Sequence, residues 1–399
     1  MIVFVGLAAL NAGNALFHLI AARYLGPAEY SELVSLLALS GLIALPLGAL
    51  QLAVARSVAR DVARGRQGDV AARARQGVLI SLVFGFVLAA MLLAATPLIR
   101  DVLSIDSSLP VVLTALLTIP SLLTPALWGV AQGLQRFFVI SGSVTLGAAL
   151  RLGLLAALLP IGLTVDGALG ATLVAMIAAA TVPLVVLAPV LRRPADHVPL
   201  SNRDFLRSAT PIAIGTLAIT ALTTIDLLVA KVALPSNEAG EYGSASLIGR
   251  LILYVPATIA TVLLPKVSSR AATERGTSDI LRSSLAVTVV ISLLATVVLA
   301  TLPGLVLDAS FGSAFEEAAP LLGLFGIAMT LFAALNILLI HDLGHHSSRV
   351  AWLLLGGAGV QLAGYAVFHE SGRQLLYVSM TTGALLLVST ALVGRGARR

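Results

Sequence analysis

Long apolar runs alternate with short polar breaks along nearly the whole chain. A bilayer core about 30 Å thick is crossed by roughly 20 apolar residues in a helix, with every backbone polar group paired internally. The pattern therefore predicts an all-α integral membrane protein with about twelve transmembrane helices. Their approximate spans are 1–22, 31–55, 77–98, 109–131, 138–160, 166–190, 209–230, 241–265, 282–307, 318–341, 349–368 and 374–394.

The first apolar run, 1–22, shares its hydrophobicity with signal peptides. No Lys or Arg precedes it, however, and about 20 residues is long for a signal core. We therefore interpret it as the first membrane span. The sequence also leaves open that the protein truly starts a few residues upstream of Met1.

Composition supports the membrane assignment. Of 399 residues, 58% are hydrophobic and 11% are charged, whereas soluble domains carry about 25% charged residues. A water-soluble globule of this size would lack the residues to form its polar surface. The chain contains no Cys, so a disulfide framework and a thiolate metal site are excluded.

The basic charge has a one-sided distribution. The net charge is +6, and nineteen of the 25 Lys and Arg residues fall in loops on one side of the predicted membrane. The opposite side has only Arg23, Arg100, Lys231 and Arg373. Because Lys and Arg concentrate in cytoplasmic loops, both termini are predicted to be cytoplasmic. The charge is a topology signal, and no nucleic-acid partner is expected.

The chain also reads as two similar halves. Residues 192–208 form a polar break with two prolines, which predicts a cytoplasmic linker between lobes 1–191 and 209–399. The segment 25–30 (LGPAEY) resembles 234–242 (LPSNEAGEY), and both lead into apolar helices. Internal repeats are typical of transporters. Two pseudo-symmetric six-helix lobes around a central cleft are therefore expected, with chance similarity between apolar helices as the alternative.

Several short motifs appear in order along the chain. They are Ala22-Arg23-Tyr24-Leu25-Gly26-Pro27-Ala28-Glu29-Tyr30, Gln132-Gly133-Leu134-Gln135-Arg136-Phe137, Asp226, Ala239-Gly240-Glu241-Tyr242, Leu264-Pro265-Lys266 and Phe311-Gly312-Ser313-Ala314-Phe315-Glu316-Glu317-Ala318. The first resembles the Arg-x-Leu-Gly-Pro-x-x-Tyr/Phe signature of polysaccharide transporters. Together the motifs resemble the oligosaccharide flippases of the multidrug/oligosaccharidyl-lipid/polysaccharide exporter superfamily.

This resemblance implies a function. Such flippases move undecaprenyl-pyrophosphate-linked oligosaccharide from the cytoplasmic to the outer leaflet, for O-antigen, capsule, exopolysaccharide or teichoic-type polymers. Related lipid II flippases usually have fourteen helices, so twelve favours the oligosaccharide branch. Membrane lipids, a polysaccharide polymerase and glycosyltransferases are the expected partners, and transport is expected to proceed by alternating access.

Two arginines, Arg151 and Arg250, fall inside predicted spans. A pyrophosphate requires positive charge and several fixed donors, and a guanidinium supplies both without deprotonating. We therefore interpret both residues as candidate substrate-binding groups. Pairing with an acidic side chain or with helix carbonyls is the structural alternative for each.

A polar stripe marks the first predicted helix. Asn11, Asn14 and His18 are spaced three and four residues apart, so they share one face, and Arg23 follows beyond them. This face is predicted to line the substrate cavity. Hydrogen bonding between helices, which also uses Asn and His, is the alternative.

Further intramembrane polar residues are weaker candidates. Asp226 lies in a Thr-rich stretch and could bind a coupling H⁺ or Na⁺, because oxygen ligands suit Na⁺ and a buried carboxylate can carry a proton. A salt bridge from Asp226 to Arg250 or Lys231 is the alternative. Gln51 and Gln361 are candidates for sugar binding, with helix packing as the alternative.

Catalytic signals are poor. His341, His345 and His346 cluster at a helix end, but a fourth metal ligand is lacking, so a polar interfacial loop is predicted there and no metal. No Walker A motif occurs, so no ATP hydrolysis and no enzymatic role are expected. Two rival functions remain: a small-molecule antiporter of the multidrug-extrusion type with the same fold, and a membrane glycan-assembly enzyme.

Overall fold

The chain folds almost entirely into α-helices. The computed structural model describes residues 2–44, 48–65, 67–194, 202–254, 277–345 and 347–396, together with Ile259, Leu263 and Val267. Over these residues there is no β-strand. The helices are α1 (Ile2–Ala44), α2 (Gly48–Ala63), α3 (Gln67–Ala94), α4 (Thr96–Leu103), α5 (Leu109–Gly133), α6 (Phe137–Leu158), α7 (Val165–Leu191), α8 (Asn202–Ala233), α9 (Ser236–Arg250), α10 (Ser278–Thr301), α11 (Pro303–Ser310), α12 (Ala319–Gly344), α13 (Arg349–Val367) and α14 (Gly372–Gly396).

Nine helices in the described ranges are long and apolar enough to cross a membrane: α3, α5, α6, α7, α8, α10, α12, α13 and α14. The first two predicted spans both fall within α1, with α2 continuing the second. The eighth begins with α9 and continues into residues that are mostly outside the described ranges. The predicted all-helical membrane fold is therefore confirmed.

A sharp break at Gly26 divides α1 into two parts. Gly26 has φ 71° and ψ 174°, a conformation that a side chain would strain. Pro27 follows directly and begins the second part, where its missing N–H does no harm because the helix starts there. The Gly-Pro pair thus joins the first two spans without a separate loop.

The helices form two compact units. The first comprises Met1–Leu25 and Leu39–Ala213, and the second comprises Gly26–Ala38 and Ile214–Arg399. The division along the chain lies slightly after the predicted linker 192–208, part of which is outside the described residues. The assignment of 26–38 to the second unit was not foreseen. It reflects Tyr30, a fully buried side chain whose ring centre lies 6.0 and 5.9 Å from those of Phe311 and Phe315.

The same helix pairings occur inside each unit. In the first, α5 packs against α2, α3 and α7, and α6 packs against α7; in the second, α12 packs against α9, α10 and α14, and α13 packs against α14. α5 and α12, the fourth and tenth predicted spans, are also the most buried of the candidate spans. Helices that are apolar on all sides are suited to such central positions. The matching pairings support the internal repeat.

Gly240 allows a close backbone approach in the second unit. A methyl group at this position would overlap the backbone carbonyl of Pro27. Because backbone cannot rotate away as a side chain can, Gly240→Ala is expected to destabilise the protein by about 1–3 kcal/mol. We expect a lower midpoint of thermal unfolding in detergent. Gly359→Ala is the matched control, because a methyl group there meets nothing within 4 Å; equal midpoints for the two variants would contradict the close approach.

Candidate functional site

Arg151 lies in α6, about two turns before the helix ends, and its guanidinium contacts three neighbours. Nη1 donates a hydrogen bond to Oδ1 of Asn14 at 2.9 Å, and Nε donates to Oγ1 of Thr172 at 3.0 Å. The guanidinium carbon lies 3.4 Å from the centre of the Phe17 ring, a cation–π contact. Side chains from α1 and α7 therefore hold this cation in one position.

The charge of Arg151 is not balanced by a carboxylate in the part of the chain that the structure describes, whereas Arg73 and Arg250 each have such a partner. Asn14 and Thr172 are neutral, and their hydrogen bonds use two of the five N–H donors of a guanidinium. An ionisable group at membrane depth is costly and usually marks a functional site. The charge and the remaining donors are suited to an anionic ligand.

A cavity of about 250 Å³ opens beside Arg151, entirely within the first unit. Its walls come from α1, α5, α6 and α7, and they are mostly apolar. The lining residues are Gly13, Asn14, Thr124, Trp128, Ser143, Val144, Gly147, Ala148, Arg151, Thr172, Ala175, Met176 and Ala179. The site thus combines one cation with an apolar wall, which suits a ligand that has an anionic group next to a less polar one.

The predicted stripe on α1 reaches this site through Asn14. His18 is half-buried, and its ring packs edge-on against Phe17 with 5.4 Å between the ring centres. Arg23 is exposed, toward the end of the first part of α1. The side chain of Asn11 lies outside the described residues. The substrate-binding roles of His18, Arg23 and Asn11 therefore stay predictions.

Arg250 has a different environment in the second unit. Its Nη2 donates to Oδ1 of Asp226 at 2.9 Å, and the hydroxyl of Tyr242 donates to Oδ2 of the same carboxylate at 2.9 Å. The Asp226 side chain is only 2% exposed. Lys231, the other predicted partner of Asp226, donates instead to Oγ of Ser31 at 3.0 Å. The structure thus contains the ion pair that the sequence left as an alternative.

The two glutamine candidates form hydrogen bonds within their own units. Nε2 of Gln361, a buried residue, donates to the Leu222 carbonyl at 2.9 Å and to the Tyr365 hydroxyl at 2.5 Å. In the first unit, Nε2 of Gln51 donates to Oε1 of Gln132 at 3.3 Å. Both contacts are of the kind expected for helix packing. Binding of sugar by either residue stays a prediction.

The histidines at the end of α12 contact the start of α10. Nε2 of His341 and Nε2 of His345 lie 3.0 and 3.1 Å from Oγ1 of Thr277. His346 is outside the described residues. Within the described ranges, no group of three or more His, Asp or Glu side chains could hold a metal ion.

The sequence profile of a family described as "Polysaccharide biosynthesis protein" matches residues 10–271. This match covers more than half of the chain, including most of α1 and the helices that carry Arg151, Asp226 and Arg250. The chain belongs to this polysaccharide biosynthesis family. The predicted membership of a polysaccharide transporter family is thereby confirmed. No curated protein matches the chain in sequence.

Solved structures of transporters share the fold of this family member. The chain aligns over 98% of its length with 97% of a multidrug resistance MATE family transporter of the MOP superfamily in an inward-facing conformation, with a TM-score of 0.78 at 15% identity. For an outward-facing structure of such a transporter the TM-score is 0.72 at 16% identity, and the alignment covers 100% of this chain and 93% of the other. For a MOP superfamily transporter from Pyrococcus furiosus the TM-score is 0.69 at 16% identity, and the alignment covers 100% of this chain and 95% of the other. These similarities establish the fold alone.

Some residues at the two sites of this family member were not singled out from the sequence. Phe17 and Thr172 complete the surroundings of Arg151, and Tyr242 completes those of Asp226. Tyr242 stood in the Glu-Tyr motif of the repeat, and Phe17 lies three residues after Asn14 on the same helix face. These signals could have identified both residues. No feature of the sequence identified Thr172, because only the packing of α7 on α6 brings it to the Arg151 guanidinium.

Proposed function

We propose that this protein is a flippase that moves polyprenyl-pyrophosphate-linked oligosaccharide from the cytoplasmic to the outer leaflet of a bacterial plasma membrane. The observation that carries the proposal is Arg151, an arginine at membrane depth that lines a cavity and has no carboxylate partner within the described ranges. Family membership supports it, since the family is one of polysaccharide biosynthesis.

Arg151 has the chemistry to hold a pyrophosphate headgroup. Phosphate oxygens accept charge-assisted hydrogen bonds, and the planar guanidinium presents several donors in a fixed arrangement. Asn14 and Thr172 already hold two of its three nitrogens, so little entropy is lost when a ligand binds the remaining N–H groups. The prenyl tail stays in lipid, and the site opens first to the cytoplasm and then to the outside, with both termini cytoplasmic.

Ion coupling is assigned to Asp226, with H⁺ or Na⁺ as the candidate ions. In this conformation both carboxylate oxygens already accept hydrogen bonds, one from Arg250 and one from Tyr242. An ion that binds Asp226 therefore competes with the guanidinium for the carboxylate charge. Binding of the coupling ion and release of Arg250 are mutually linked in this scheme.

Deleting the gene in the native host tests the function. We expect loss of one surface polysaccharide and accumulation of its lipid-linked precursor on the cytoplasmic side, with unchanged drug susceptibility. Increased drug susceptibility with normal surface polymer would favour the small-molecule antiporter. Loss of the precursor itself, rather than its accumulation, would favour a glycan-assembly enzyme.

A further inference from the structure

Trp128 presents a carbon surface to the cavity beside Arg151. The indole lines the cavity from α5, and its only polar group, Nε1–H, donates to Oγ of Ser143 at 3.0 Å. The Ser143 hydroxyl in turn donates to the carbonyl of Ala179 at 2.7 Å. This relay fixes the orientation of the ring and satisfies its polar atom. What the indole offers a ligand is therefore its aromatic face or edge.

Thr124 lines the same cavity and has a buried, unsatisfied hydroxyl group. It lies one turn before Trp128 on α5, is 6% exposed, and its Oγ1 has no hydrogen-bond partner among the described residues. Threonines within helices commonly bond the carbonyl four residues earlier, as Thr172 does with Ala168. Leaving a buried hydroxyl unpaired is unfavourable. A ligand hydroxyl that reached Thr124 Oγ1 would therefore supply its missing hydrogen bond.

We propose that this cavity is a subsite for one sugar ring, the ring that adjoins the pyrophosphate of the lipid-linked substrate. Trp128 is the surface on which the ring stacks, Thr124 bonds one of its hydroxyls, and Arg151 holds the phosphate next to it. A pyranose combines a face of C–H groups with a rim of hydroxyls, and C–H groups favour the negative face of an aromatic ring. The inference rests on the proposed flippase function.

The size of the cavity limits the ligand to a single ring. Its volume of about 250 Å³ is below the roughly 300–1,000 Å³ of pockets that enclose drug-sized ligands. The rest of the oligosaccharide therefore lies outside the cavity, and only the proximal sugar is selected.

Fluorescence tests the stacking contact directly. The chain has two tryptophans, and Trp352 lies 56% exposed on α13 in the second unit, so Trp352→Phe leaves Trp128 as the single reporter. We expect polyprenyl pyrophosphate bearing one sugar to shift and quench the Trp128 emission. The same lipid without sugar should bind with little change in emission. Equal emission changes for the two lipids would overturn the subsite.

Affinity measurements keep the test independent of the reporter. Trp128→Leu is expected to weaken binding of the sugar-bearing lipid about tenfold and to leave the sugar-free lipid unaffected. Trp128→Phe retains a ring and should lose less, and Trp352→Leu is the matched control without effect. A Trp128→Leu variant that loses affinity for both lipids equally would reduce Trp128 to a packing residue and overturn the proposal.

The outcomes separate the subsite from the flippase function. A wild-type protein that binds both lipids with equal affinity retains the proposed function and contradicts only the sugar subsite. A wild-type protein that binds neither lipid contradicts the proposed function and the subsite together. Thr124→Val, which keeps the shape and removes the hydroxyl, should weaken only the sugar-bearing lipid.

Discussion

Arg151→Ala is expected to lower polymer export at least about 100-fold while leaving the amount of folded protein close to wild type. Hydrogen bonds to charged groups contribute about 1.5–3 kcal/mol each, and each 1.4 kcal/mol is a tenfold change, so losing two such bonds to phosphate suffices. The fold loses no counter-charge, because the ion pairs of the described residues do not include Arg151. Surface polymer detected by a glycan-specific antibody, normalised to protein in the membrane, measures the effect.

Asn14→Asp tests the same site by placing a negative charge beside Arg151. It keeps the shape of the side chain but places a carboxylate oxygen about where Oδ1 now accepts from Nη1 of Arg151, at 2.9 Å. The added negative charge cancels the attraction for phosphate, so we expect a loss of export similar to that of Arg151→Ala. Arg192→Ala, which removes an exposed arginine at the end of α7, is the control. Normal export by Asn14→Asp would contradict an anion site at Arg151.

Asp226→Ala is expected to destabilise the protein by about 3–5 kcal/mol, because it leaves the Arg250 guanidinium without a counter-charge in a largely buried position. The Tyr242 hydroxyl would lose its acceptor as well. Arg250→Ala should be similarly destabilising, since it leaves the buried Asp226 carboxylate without its cation. The midpoint of thermal unfolding of the purified protein in detergent measures both effects, with exposed Arg282→Ala as the control.

A double replacement separates stability from transport. Buried ion pairs exchanged for apolar residues of similar volume are often neutral or stabilising, so Asp226→Leu combined with Arg250→Met should recover most of the lost stability. A double variant as unstable as the single variants would contradict the pairing. In the stable double variant, normal export would restrict Arg250 to a structural role. Lost export in the stable double variant would be consistent with the predicted contact of Arg250 with substrate or with its link to the coupling ion.

The hydropathy pattern was sufficient to predict the helices, because each span requires a run of apolar residues whatever its neighbours are. α5 was predicted at 109–131 and is observed at Leu109–Gly133. α7 was predicted at 166–190 and is observed at Val165–Leu191. The grouping of 26–38 with the second unit could not be predicted, since it depends on how Tyr30 packs among residues almost 300 positions later.

The site was predicted only in part, because the sequence does not show how each helix is rotated about its own axis against its neighbours. Spacing along α1 placed Asn14 on a polar face, and the structure brings it to Arg151, 137 residues away. The sequence could not choose between Arg250 and Lys231 as partner of Asp226, because both lie within reach along the chain. Which cation faces the carboxylate is decided by packing between α8 and α9, which hydropathy does not encode.

Translocation in proteoliposomes is the most direct test of the central claim. Purified protein would be reconstituted with a polyprenyl-pyrophosphate-linked glycan, and exposure of the glycan on the opposite leaflet would be followed with a membrane-impermeant lectin or glycosidase. We predict translocation by the wild-type protein and by Arg192→Ala, and background rates for Arg151→Ala and Asn14→Asp. Equal rates for wild type and Arg151→Ala, or no translocation by the wild-type protein, would contradict the account.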